Sequence, residues 1–156
     1  MTSVMSRTGE AEYGQSSPEA LAALVAPPAT TREEYVERMV ANQHVYGSKP
    51  EWIDDEEVAR RMGASFDRCY CPTGTGRQML AVMADGSRAE ALREVTVPTL
   101  VLHGSRDTLI DPSGGRRTAE LIPGARYEEI EGMGHDYPPP VWDTWVRLWA
   151  DFAASV

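Results

Sequence analysis

The pattern of apolar and polar positions divides the chain into three stretches of different character. Thr2 to Ser6 reads as a short strand, and Arg7 to Ser17, with two glycines and no apolar periodicity, reads as a loop. Ser17 then caps a helix that has Pro18 at its first position. A second helix begins at Thr31, where Thr31 and Glu34 form a capping box and Tyr35/Met39 and Val36/Val40 recur at the i to i+4 spacing; it ends by Gly47. A third begins at Asp54 with Glu57 three residues on, and Val58, Met62 and Phe66 line one of its faces. After the Cys69-Tyr70-Cys71-Pro72 break, Arg77 to Met83 and Ala89 to Val95 read as short helices.

The character changes at Val97-Pro98. Thr99-Leu100-Val101-Leu102 is a continuous apolar run of the kind found in strands buried on both faces, and His103-Gly104 ends it. Asp111-Pro112 resembles a cap and first-turn proline, predicting a helix to Ile122 before the Pro123-Gly124 turn. A strand at Tyr127 to Glu131 follows. Three prolines at 138 to 140 precede a closing helix, Val141 to Ala154, on which Trp142, Trp145, Trp149 and Phe152 share a face. Strand, helix, strand, helix in this order demands parallel pairing with crossovers, hence an α/β sheet. The resulting division is residues 1–16 as strand and loop, 17–95 as helices, and 96–156 as the rest of the sheet layer.

Composition narrows the partners. With 24 acidic against 15 basic side chains the formal charge is -9, and no run of Lys or Arg offers a footprint for phosphate backbones or anionic lipid. Nucleic acid and membrane drop out as default partners, since no stretch approaches the ~20 apolar residues that cross a bilayer. Met1 to Gly14 lacks the regions of a secretory signal, so a cytoplasmic protein is the simplest reading. Cys69 and Cys71 fit neither zinc nor C-x-x-C redox spacing, and His44, His103 and His135 show no ligand spacing, so neither metal nor cofactor is expected. Tyr35, Met39, Trp52, Phe66, Tyr70, Met79 and Met83 have two readings, ordinary helix packing or the lining of an apolar pocket.

Two loops carry candidate chemistry. In parallel sheets, sites gather beyond the carboxyl ends of strands, where the loops converge. His103-Gly104-Ser105-Arg106-Asp107 puts a carboxylate three residues past the glycine that ends a buried strand. Gly132-Met133-Gly134-His135-Asp136 puts an imidazole past the next. Neighbouring strands would bring Asp107 and His135 together, the carboxylate fixing the ring tautomer during proton transfer. His103 reads as satisfying backbone groups, and Asp111 and Asp136 as cap or turn residues.

Val97 to Asp107, together with Ile122 to Tyr127 and Gly132 to Asp136, resembles the α/β-hydrolase superfamily: the strand bearing the triad acid, then the final strand and catalytic histidine. Ser6-Arg7-Thr8-Gly9 and Ser65-Phe66-Asp67-Arg68 are similar to the aclacinomycin methylesterase-like esterases. The resemblance implies a partial α/β-hydrolase fold: the last three parallel strands, with residues 17–95 a helical cap inserted between the first and second of them. It implies Asp107 as triad acid, His135 as general base, and a carboxylic (methyl) ester of a hydrophobic small molecule as substrate.

The family's nucleophile elbow, G-x-S-x-G, and its oxyanion loop lie before this part of the fold, and neither occurs here. Ser16 and Ser65 have glycine two residues before but Pro18 and Asp67 two after, while Ser113 has Gly115 after but Asp111 before. The serine must lie outside this chain, which by itself is expected to be inactive. The expected partners are the missing N-terminal half or a self-association partner at the open sheet edge. The alternative is a non-catalytic fragment that binds a ligand or partner, and other hydrolytic or peroxidase reactions share the fold.

Overall fold

The computed structural model describes residues 1–156. Its three strands, β1 (Thr2–Val4), β2 (Leu100–Gly104) and β3 (Arg126–Ile130), form one parallel sheet in that order. Val4 pairs with Leu102, and Leu102 with Glu128. The sequence of β2 follows from its central place. A strand paired at both edges and covered on both faces has no position for an exposed polar group, and Leu100, Val101 and Leu102 are fully buried. β3 has a neighbour on one side only and is correspondingly polar. Its Glu129 accepts from Arg116 and from the Tyr127 hydroxyl. β1 is shorter than the predicted Thr2 to Ser6 because Met5 turns out of line at φ 44°, although its N–H still reaches the Leu102 carbonyl at 2.9 Å.

Alternation along β2 sorts the two faces. Leu100 and Leu102 join Met5, Ile130, Met133, Val141, Trp145 and Leu148 in the main apolar cluster. His103 points to the other face, toward α6 (Ser113–Leu121), the crossover helix between β2 and β3. The closing helix α7 (Trp142–Ala154) buries Trp145 and Leu148, and Trp145 Nε1 lies 3.3 Å from Met133 Sδ. The predicted aromatic face is only partly the buried one: Trp142 is 56% exposed and Trp149 41%. Leu148, one step round the helix, takes the place beside Trp145.

Between β1 and β2 stand α1 (Pro18–Leu24), α2 (Arg32–Tyr46), α3 (Asp55–Arg68), α4 (Pro72–Asp85) and α5 (Ala89–Arg93). Ser17, Thr31 and Asp54 each accept the expected N-cap bond, from Ala20, Glu34 and Glu57 N–H respectively. The return half of the capping box is shifted by one residue, since Glu34 accepts from Thr30 N and Oγ1. α4 begins at Pro72, five residues ahead of the predicted Arg77. Proline suits the first turn, whose N–H needs no partner, while Gly74 and Gly76 hide the periodicity there. No helix is long and apolar enough to cross a membrane.

Phe66 and Tyr70 stack at 4.6 Å between ring centroids, and Tyr35 meets both rings edge-on or tilted. Beside them lies a cavity of about 510 Å³ lined by Leu24, Tyr35, Met39, Tyr46, Tyr70 and Met79 among others. Four of the seven residues weighed as pocket lining therefore face it. Of the others, Trp52 packs against the main core and Met83 is 74% exposed. Truncating Leu102 to Ala, in the middle of the buried strand, is expected to cost about 2–5 kcal/mol, read as a lowered urea midpoint.

Candidate active site

The loops that follow β2 and β3 are joined by main-chain contacts that only glycines allow. A Cβ built at Gly104 would collide with the Met133 carbonyl, so a side chain there would push the two loops apart. With glycine in place, Arg106 N–H donates to Met133 O at 2.9 Å, Ser105 N–H to Ile130 O at 3.1 Å, and Gly132 N–H to Ser105 Oγ at 2.9 Å. Gly132 turns the second loop at φ 81°. This arrangement brings the two predicted side chains together: His135 Nδ1 is 2.7 Å from Asp107 Oδ2.

Asp107 is buried, and its other oxygen, Oδ1, accepts from the N–H groups of Leu109 and Ile110 at 2.9 and 2.8 Å. Burial is the largest single influence on this carboxyl and pushes its proton affinity up. The nearby His103 ring and the hydrogen bonds from His135 and the Ile110 N–H outweigh it, so Asp107 titrates below its ordinary value of 3.8. At neutral pH it is therefore a carboxylate, and His135 donates Nδ1–H to it. That tautomer leaves the Nε2 lone pair free on a ring whose side chain keeps 28% exposure, the state in which imidazole accepts a proton.

Residues beyond these two hold the geometry. His135 N–H donates to Tyr46 O at 2.7 Å, at the C-terminal end of α2, and Gly134 N–H donates to Ser48 Oγ at 3.0 Å. Ser48 in turn donates to Asp136 Oδ1 at 2.5 Å, and Gln43 Nε2 donates to the other Asp136 oxygen. Thr108 Oγ1 reaches Val45 O, and Lys49 N–H reaches Gly132 O. Asp136 thus anchors a loop. Asp111 accepts from Ser113 N–H at the start of α6, as a cap residue does.

His103 does satisfy a backbone group, the Ile110 carbonyl at 2.8 Å, but its Nε2 also lies 3.3 Å from Asp107 Oδ2. The only local signal of that contact is the four-residue spacing from His103 to Asp107. Gln43 and Ser48 reach the site from 93 and 88 positions away in sequence, and no local pattern marks them.

Residues 16–138, more than half of the chain, match the model of the Hydrolase_4 family, described as Serine aminopeptidase, S33. The chain belongs to this family. It is 31% identical over 121 residues to rhodomycin D methylesterase DauP of Streptomyces sp. (strain C5), and 32% identical over 117 residues to rhodomycin D methylesterase DnrP of Streptomyces peucetius. These alignments take in 74% and 71% of this chain but 39% and 37% of the relatives. Among solved structures it resembles the meta-cleavage product hydrolase CumD of Pseudomonas fluorescens IP01, with TM-score 0.68 and 22% identity over 92% of this chain and 53% of that one. A 2-hydroxy-6-oxo-6-phenylhexa-2,4-dienoate hydrolase from Rhodococcus sp. strain RHA1 gives TM-score 0.69 at 16% identity, over 98% and 54%. The fold is accordingly a partial α/β-hydrolase fold. The chain spans about two-fifths of the curated relatives it matches and about half of the solved structures.

Within this hydrolase-family chain, the lowered titration of Asp107 sets the sign of a pH effect. Its stabilising contribution is complete above its ordinary value of 3.8 and is lost as pH falls through the lower folded value. Asp107→Asn is therefore expected to reduce stability at pH 7 by about 1.5–3 kcal/mol, with the gap to the parent closing below pH ~4 in urea titrations at stepped pH. A Cβ at Gly134 would fall on the Gly47 carbonyl. Gly134→Ala should cost about 1–3 kcal/mol and weaken amide-exchange protection at His135.

Proposed function

We propose that this chain supplies the acid and base of a serine-type carboxylic ester hydrolase acting on a hydrophobic small molecule, with a methyl ester the favoured group. In this reading Asp107 is the triad acid, His135 the general base and then acid, and the helices of residues 17–95 a cap over the site. The serine comes from protein outside this chain, since no elbow sequence occurs within it. The observation that carries the reading is the 2.7 Å bond between His135 Nδ1 and Asp107, placed beyond the carboxyl ends of adjacent parallel strands.

The chemistry follows from that bond. His135 Nε2 removes the proton from the incoming serine hydroxyl as Oγ attacks the ester carbonyl, and Asp107 stabilises the resulting imidazolium. The imidazolium then protonates the departing alkoxide, leaving an acyl-enzyme. A water molecule, deprotonated by the same nitrogen, attacks the acyl carbonyl and releases acid and serine. The apolar cavity beside Tyr46 suits a hydrophobic substrate, and the printed activity of the two Streptomyces relatives favours a methyl ester. β1 is paired on one side only, which leaves a sheet edge for the segment that brings the serine or for a second copy.

The test is co-expression with the N-terminal part of the DauP relative, followed by assay with an activated ester and a methyl ester. The chain alone is expected to give no acyl burst, and the pair to turn over. His135→Ala in the pair should lower kcat/KM about 10²–10⁴-fold. Turnover unaffected by that change would sink the proposal. A chain that binds the ester with unaltered affinity in the His135→Ala variant, and never turns over, would instead be a binding fragment.

A further inference from the structure

We infer that His103 is a positioning residue for the Asp107–His135 pair, its Nε2–H held by the Ile110 carbonyl and lying against the same carboxylate oxygen that His135 uses, and so moderating His135 as a base. The inference rests on the reading of His135 as the base, but its physical content is a proton affinity that can be measured without substrate.

The tautomer follows from the surroundings. His103 is fully buried, and its Nε2 faces two acceptors, the Ile110 carbonyl at 2.8 Å and Asp107 Oδ2 at 3.3 Å. Neither can donate, so the proton sits on Nε2, where it bonds to the Ile110 carbonyl and lies close to Asp107 Oδ2. Nδ1 has no partner and is shut away from solvent. A proton placed there would be an unsatisfied buried donor, which costs more than a bare ring nitrogen facing the α6 backbone. Gly115 sets the fit, because a Cβ at that position would run into Nδ1.

Two imidazoles therefore converge on one oxygen. His135 Nδ1 holds Oδ2 at 2.7 Å and His103 Nε2 approaches at 3.3 Å, while Oδ1 is occupied by Leu109 and Ile110 N–H. The positive end of the buried Nε2–H dipole beside Oδ2 offsets part of the carboxylate charge and leaves less to stabilise His135 once that ring gains a proton. The other ionisable groups nearby are Asp136, tied to Ser48 and Gln43; Tyr46 of α2; and Glu12 and Asp111, which line a hollow with Asp107. All of them stay unchanged in the variants below.

Long-range ¹H–¹⁵N correlation of the full chain reads both histidines directly. The parent should carry the His103 proton on Nε2, with Nδ1 at the shift of a bare nitrogen. In His103→Leu the donor is gone, and the His135 titration should move up by roughly half a pH unit, about a threefold change in proton affinity, with its Nδ1–H signal moving downfield. His103→Gln, whose side-chain amide reaches the position of the ring Nε2, should return His135 toward the parent value. A proton on Nδ1 of His103 in the parent overturns the inference even if the Leu variant does not fold. So does a His135 titration identical in parent and Leu variant. Failure of ester hydrolysis in the co-expressed pair would bear on the proposed reaction and leave these shifts untouched.

Discussion

Two loops can share one carboxylate here only because backbone meets backbone where side chains would stand between them. Gly104 lies against the Met133 carbonyl, and Gly134 against Gly47. At each crossing a methyl group would lie 2.1 to 2.3 Å from backbone atoms and force the loops apart by about 1 Å, and the 2.7 Å distance between His135 and Asp107 would not survive it. The sheet sets the coarse spacing of the two strand ends, and the glycines convert that spacing into contact. The burial of Asp107 follows, and so do the N–H groups that keep it ionised.

The same crossing ties the helical layer to the Asp107–His135 pair. The last turn of α2 presents the Tyr46 carbonyl to His135 N–H, and the residues just after it supply Ser48 to Gly134 and Asp136. Tyr46 also borders the apolar cavity. One short segment thus touches both the space where an apolar molecule would sit and the main chain of the imidazole-bearing loop. The carboxylate side is bound to it as well, through Thr108 and Val45.

How much of this was legible in the sequence depended on the range of the forces involved. The unbroken apolar run of β2 announced a strand covered on both faces, and the glycines and polar residues after it and after β3 marked the two loops whose side chains meet. Local capping rules located Ser17, Thr31 and Asp54. Three features were hidden. The early start of α4 was masked by Gly74 and Gly76. The burial of Leu148 rather than Trp142 depended on which part of α7 faces the sheet. The support from Gln43 and Ser48 arises from a fold-level approach between segments far apart in the chain, to which neither periodicity nor spacing is sensitive. His103 at the end of a buried strand signals a partner for backbone, which the Ile110 carbonyl is, while its closeness to Asp107 depends on the fold.

The His135 N–H is held by the carbonyl of Tyr46, a residue that also borders the cavity. Since a wall residue of the cavity also anchors the imidazole loop, entry and reactivity in the proposed reaction are not separately adjustable. A guest bulky enough to lever the end of α2 outward would at the same time draw the ring off its carboxylate. Discrimination by size would then be exerted on the proton transfer itself, with oversized molecules admitted but left unreacted.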